Sequence, residues 1–123
     1  MTVERQALAV RIRAALPGGR AVREVSMFGG LSFMVDDSMV VAAGRDGGLL
    51  VRVLPGRYEE LLTVPGARPA VMGSKHRPMG PGWISVAPDG LATDEQLAFW
   101  TQVGLEHQAS SSRAFSNKAE TGR

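Results

Sequence analysis

Two histidines, His76 and His107, are the only imidazoles in a chain of 123 residues that has no cysteine. Cysteine thiolates are therefore excluded as nucleophiles, redox groups or metal ligands. Hydroxyl catalysis needs a serine or threonine brought to a base that a third group orients. Ser74 stands two residues before His76, but alternate loop residues converge only when tertiary contacts force them, and no nucleophile-elbow pattern surrounds the serine. A zinc site needs closely spaced ligands, and these histidines are far apart. Gly73-Ser74-Lys75 is superficially like the end of a phosphate loop, without the required glycine spacing or a strand-loop-helix setting. Asp36 and Asp37 could pair as carboxylates, yet adjacent positions in a hairpin turn point apart, and aspartate there commonly bonds local backbone. We assign no catalytic residue, no metal ligand and no cofactor, and expect a non-enzyme.

One polar cluster remains. Arg68, Lys75, His76 and Arg77 fall in a glycine-bordered segment, a candidate loop for a ligand or a partner; the plain alternative is a solvated loop.

These residues must be held by elements whose periods are readable. Leu8, Ile12, Ala15 and Leu16 recur at helical spacing, which predicts a helix over residues 3 to 16 that Pro17-Gly18-Gly19 ends. From Val22 the period changes to that of strands. Leu31 to Val35 and Met39 to Ala43 are apolar runs meeting across Asp36-Asp37, a hairpin. Arg45-Asp46-Gly47-Gly48 is a second turn, followed by a strand from Leu49 to Val53. Pro55-Gly56 opens a short helix with Tyr58, Leu61 and Leu62 on its apolar face, stopping before Pro65. Residues 65 to 82, rich in proline, glycine and cations, read as the longest internal loop. Trp83 to Val86 is a final strand. Thr93 to about His107 is a helix with a Thr93-x-x-Gln96 capping box, its Leu97, Trp100 and Val103 facing the sheet.

Beyond His107 the residues are serine, alanine and scattered charges, with Phe115 the one large apolar side chain, so residues 108 to 123 are expected to be a disordered polar tail. The expected fold is α+β: one domain over residues 1 to 107, two layers, an antiparallel sheet of about five strands with helices on one face.

Charge narrows the partners. The calculated pI of 9.7 looks like that of a nucleic-acid binder, but the formal net charge is only +2. Residues 1 to 107 hold 11 Lys/Arg against 11 Asp/Glu, so the excess sits in the tail. A neutral body with no aromatic row among its cations leaves direct DNA contact weak. Nothing approaches the roughly 18 apolar residues of a membrane span, and no signal-peptide pattern opens the chain, so a cytoplasmic protein with no membrane association is expected.

Several separated blocks give a kinship. Met27-Phe28-Gly29-Gly30-Leu31-Ser32-Phe33-Met34, Val51-Arg52-Val53, Tyr58, Pro65-Gly66-Ala67-Arg68-Pro69, Arg77-Pro78-Met79, Gly82-Trp83 and Thr93-Asp94-Glu95-Gln96-Leu97 with Trp100 stand in order across residues 24 to 107. In that order and spacing the chain resembles the TfoX (Sxy) N-terminal domain family. The resemblance implies a two-layer fold like that of secretion chaperones and kinship with bacterial regulators of competence genes, which act with the cyclic-AMP receptor protein and carry a second, helical domain. A polar tail stands here where that domain would begin. The resemblance supplies no catalytic residues. Among the shared positions, Gly29 and Gly30 are expected to allow a bulge or sharp bend, and Phe28, Phe33, Met34, Trp83 and Trp100 to fill core; Met27, Arg52, Tyr58, Pro69 and Gly82 complete the set of structural motif residues.

The functional expectation is a TfoX-like protein acting by protein contact in transcriptional or competence-related regulation. Its partner would be another protein, transcription machinery among the candidates, or a second copy in a homodimer. Exposed methionines would give such a surface adaptability. The alternatives are a small-ligand domain or unrecognised enzyme using the basic loop 68 to 82, and weak DNA binding.

Overall fold

Apolar residues at every second position of four consecutive short segments dictate a sheet with one face in the core. The computed structural model describes residues 3–16, 22–27, 30–36, 38–44, 47–72 and 77–121, the side chains of residues 3, 4, 27, 72 and 111–121 excepted. The elements are α1 (Val3–Ala15), β1 (Val22–Met27), β2 (Gly30–Val35), β3 (Ser38–Ala43), β4 (Leu49–Arg52), α2 (Tyr58–Leu61), β5 (Ala67–Pro69), β6 (Val71–Met72), β7 (Arg77–Pro78), β8 (Trp83–Val86) and α3 (Asp94–Thr121). Single 3-10 turns precede α2 and α3, at Pro55–Arg57 and Pro88–Leu91.

The main sheet is antiparallel and six-stranded, in the order β1-β2-β3-β4-β8-β5, with β6 and β7 forming a separate two-stranded ribbon. The α+β class, the antiparallel sheet and the helices on one face are as expected. The sheet has six strands where about five are expected, the sixth being β5, which lies in the segment read as a loop over residues 65 to 82; that segment also carries β6 and β7 of the ribbon. Its prolines are tolerated for a positional reason. Pro69 lies on the edge strand β5, which pairs only with β8, and an edge position can spare a backbone donor. The ribbon is joined to β5 by the Met79 N–H donating to the Ala70 carbonyl at 2.9 Å.

Register decides which side chains share a face, since directly opposed residues project the same way. Leu31, Phe33 and Val35 of β2, Val41 and Ala43 of β3, Leu49 and Val51 of β4, and Ile84 and Val86 of β8 form one buried face. Leu8, Ala9, Ile12 and Leu16 of α1, Leu61 of α2, and Leu97, Trp100 and Val103 of α3 cover it. Each valine, leucine, isoleucine or phenylalanine among them contributes roughly 1.5–3 kcal/mol on burial, so this interface is the main source of stability. Leu97, Trp100 and Val103 thus face the sheet as their spacing predicts.

The Asp36-Asp37 hairpin is present: Val35 pairs with Ser38 across the two-residue turn, and Asp36 takes a φ of 50°, a left-handed conformation that aspartate tolerates better than most residues. At the motif glycines, where a bulge or sharp bend is expected, β1 reverses into β2. Gly30 is a regular strand residue paired with Met27, and Phe28 and Gly29 lie outside the described residues. It is β3 that bulges: Phe33 pairs with Val41 and Met34 with Met39, leaving Val40 as the extra residue. Gly66, with a φ of +89°, supports a second close approach, for a Cβ there would stand 2.6 Å from the Cα of Gly90. The Ala87 N–H donates to the Gly66 carbonyl at 2.9 Å, holding the start of β5 against the 3-10 turn before α3.

The capping box forms in both directions. The Gln96 N–H donates to Thr93 Oγ1 at 3.1 Å, and the Thr93 N–H donates to Gln96 Oε1 at 2.9 Å, which satisfies two donors that the helix start would leave without partners. The far end of α3 corrects the sequence reading. The helix continues to Thr121 rather than ending near His107, and Gln108 is buried. No proline or glycine follows Gly104 until Gly122, and the alanines and charged residues beyond His107 favour helix. The side chains of the expected tail beyond Ser110 lie outside the described residues.

Candidate functional site

The second face of the sheet carries none of the core. Its positions are Arg23 and Val25 on β1, Ser32 and Met34 on β2, Met39 and Ala42 on β3, Leu50 and Arg52 on β4, Trp83 and Ser85 on β8, and Arg68 on β5, matched across the strands by register. Ser32 and Ala42 are buried among larger neighbours, while Val25, Met34, Met39, Leu50 and Trp83 are half-buried. Ala42 does not join the main core cluster although it is buried, and no described helix contributes to that cluster from this side. Met34 and Trp83 are therefore corrected from core to this outer face, while Phe33 and Trp100 are fully buried as expected. Alternation explains both outcomes, since Phe33 and Met34 are neighbours in one strand and must point apart.

Strand β8 brings the shared motif residues together. Arg52 is opposite Trp83, and its guanidinium carbon lies 4.7 Å from the centroid of the indole ring, a cation–π contact. Gly82 accepts a 2.9 Å hydrogen bond from the Val53 N–H, which fixes the entry to β8. Arg68 is opposite Ser85 and Pro69 opposite Ile84. Tyr58 packs at the margin of the helical core rather than on this face.

The candidate loop is only partly assembled. Arg68 is exposed on β5 and Arg77 is exposed on β7 of the separate ribbon, while Lys75 and His76 lie outside the described residues. Arg52, placed from the sequence only as a structural motif residue, shares the outer face with Arg68, with β8 between their strands. Strand register, which pairs both β4 and β5 with β8, is what places them on one face.

Charges on the helical side are largely paired. Arg13 Nη2 donates to Glu24 Oε1 at 2.7 Å, and this bond holds the Glu24 carboxyl below its ordinary range. Arg57 forms an ion pair with Glu106, which keeps the guanidinium protonated, and lies 3.6 Å from Glu60. Arg11 reaches Asp94 at 3.5 Å, joining α1 to the start of α3. His107 is pushed below its ordinary pKa, first by partial burial and then by the positive charge of Arg52. Among the described residues no group of three histidine or acidic side chains could hold a metal ion, and no helix is long and apolar enough to cross a membrane.

Comparison with known proteins agrees with the blocks quoted above. No curated protein and no solved structure matches the chain. The model of the TfoX N-terminal domain matches residues 14–108, a span that takes in every strand, α2 and the described side chains of α3 up to Gln108. The chain belongs to the TfoX N-terminal domain family.

Proposed function

We propose that this chain acts by protein contact, as a regulatory module in transcriptional or competence-related control, and that the outer face of its sheet is the contact surface. Family membership supports the regulatory setting. The observation that carries the surface is the half-buried state of Met34, Met39, Leu50 and Trp83 on a face to which no described helix contributes core. Apolar side chains gathered on one face are what a protein partner buries, and methionine adapts its shape to the partner. A second copy of the chain would use the same face.

A photo-reactive phenylalanine derivative placed at Leu50 tests this, with the same group at Glu59, exposed on α2, as the control. In nuclease-treated cells the position 50 probe should yield a discrete protein adduct that the position 59 probe does not. Identical adduct patterns at the two positions, or none at position 50, would remove the surface assignment.

A further inference from the structure

Arg52 and Trp83 form one row of the outer face, and Leu50, Ser85 and Arg68 form the next, on strands β4, β8 and β5. Arg52 is opposite Trp83, Arg68 is opposite Ser85, and Leu50 is opposite Ser85 from the other side, so all five side chains leave the sheet in the same direction. The guanidinium carbon of Arg52 lies 4.7 Å from the centroid of the Trp83 ring, a contact that restrains the side chain over the indole. An arginine held in this way binds a carboxylate at less entropic cost than a free one. Arg68 is exposed one strand further on.

No outward position of β4, β8 or β5 is acidic. The carboxylates with ion pairs are engaged elsewhere: Glu24 by Arg13, Glu60 and Glu106 by Arg57, and Asp94 by Arg11. Arg52 and Arg68 have no ion pair among the described residues. Among the described residues no carboxylate is paired with these two cations, and half-buried Leu50 sits beside Arg52 on β4.

We propose that the Arg52, Trp83 and Arg68 face is the docking site for an acidic segment of a partner protein. Its carboxylates meet the two guanidiniums while an apolar side chain between them rests on Leu50. This inference rests on the protein-contact reading and adds the chemistry of the partner. A nucleic acid fits the same face less well: Arg52 already occupies one face of Trp83, the one aromatic ring there among the described residues, which a base would need for stacking, and two cations make a short track for a phosphate backbone.

The test uses the indole N–H resonances of the isotopically labelled full chain. Trp83 is half-buried on the outer face and Trp100 is 1% exposed, so the first reports the site and the second serves as reference. The probes are a short acetylated peptide repeating Glu-Leu-Asp, the same peptide with Gln and Asn in place of its acids, and a short oligothymidine. The acidic peptide should move the Trp83 signal and leave Trp100 in place. Its affinity should fall roughly tenfold in Arg52→Gln and in Arg68→Gln, each of which loses one charge-assisted carboxylate contact. Because Arg68 is exposed on an edge strand, its variant reads out binding without a risk to folding.

No Trp83 shift with the acidic peptide, an equal shift with the neutral one, or tighter binding of the oligothymidine would overturn the proposal. So would sedimentation of the free protein as a dimer with Trp83 already covered. Adducts at position 50 that persist beside a failed peptide titration would overturn the acidic chemistry alone; loss of both would take the contact reading with it.

Discussion

Gly104 of α3 rests directly on Val40 of β3: a Cβ at position 104 would lie 2.5 Å from the Val40 Cγ1 and 2.6 Å from the Val40 carbonyl oxygen. Val40 is the extra residue of the bulge in β3, so a bulge and a helical glycine that have no connection in the sequence are two halves of one contact. A glycine inside a helix costs about 1 kcal/mol relative to alanine, and close approach to the strand is what offsets it.

Gly104→Ala should therefore lower stability despite its better helix propensity, by about 1–3 kcal/mol, since one of the two clashes is with backbone that cannot rotate away. Chemical denaturation measures this. Val40→Ala in the same background should recover only part of the loss, because it removes the Cγ1 clash and leaves the carbonyl clash. Full recovery, or no coupling between the two sites, would show that the helix can shift off the bulge.

Two threonines of α3 should respond in opposite directions. Thr93→Ala removes the cap and should cost about 1 kcal/mol. Thr101 is 1% exposed, and its hydroxyl has no hydrogen-bond partner among the described residues. Thr101→Val keeps the shape and removes an unsatisfied polar group, so it should be neutral or stabilising by up to about 1 kcal/mol. Thermal unfolding of the two variants side by side gives the sign of each.

The pH response should include a histidine component. His107 has a folded pKa below its ordinary 6.5, from burial and then from Arg52, so folding favours the neutral ring. Its contribution is fully present above the unfolded value and is lost as pH falls from there through the folded value. Glu24, lowered by its bond to Arg13, adds a second loss at lower pH, beginning below the ordinary 4.5 of a glutamate and completed below its folded value. In His107→Gln the decline in thermal stability just below neutrality should flatten while the more acidic decline remains. An unchanged profile would place His107 in water.

Gln108, 3% exposed, is the last buried side chain of α3 among the described residues and coincides with the last residue matched by the family model. Removing residues 111 to 123 should leave the melting temperature within a few degrees of the full chain. Removing residues 108 to 123 should lower it further, because a buried side chain goes with them. A large loss from the shorter deletion would mean that the segment beyond Ser110 docks on the body.

Strands β1 to β4 and β8, their antiparallel order, the capping box and the core face of α3 were legible because each has a local signature: short apolar runs between turn residues, such as Leu49 to Val51 after Gly47-Gly48, period 3.6 in Leu97, Trp100 and Val103, and a Thr-x-x-Gln spacing. What escaped depends on contacts between distant segments. The pairing of Ala67–Pro69 with β8 cannot be read from a stretch dominated by proline and glycine, since an edge strand needs only one partner and tolerates both residues. Composition equally hid the outer face. Trp83 and Met34 look like core by type, and only register shows that they stand opposite Arg52 and Met39 on the far side of the sheet. The bulge at Val40 was invisible for the same reason, its cause lying in Gly104, more than sixty positions along the chain. The candidate cations were placed by sequence proximity, whereas the sheet sorts them by strand, sending Arg68 to the outer face and Arg77 to the ribbon.

The most direct measurement of the outer face as a contact surface is paired affinity capture under nuclease, with tagged wild type and Leu50→Glu expressed at equal levels and shown to melt alike. The account predicts at least one protein retained by wild type and lost by Leu50→Glu, while a Glu59→Lys control on the exposed side of α2 retains it. The same set of proteins recovered with all three would contradict it.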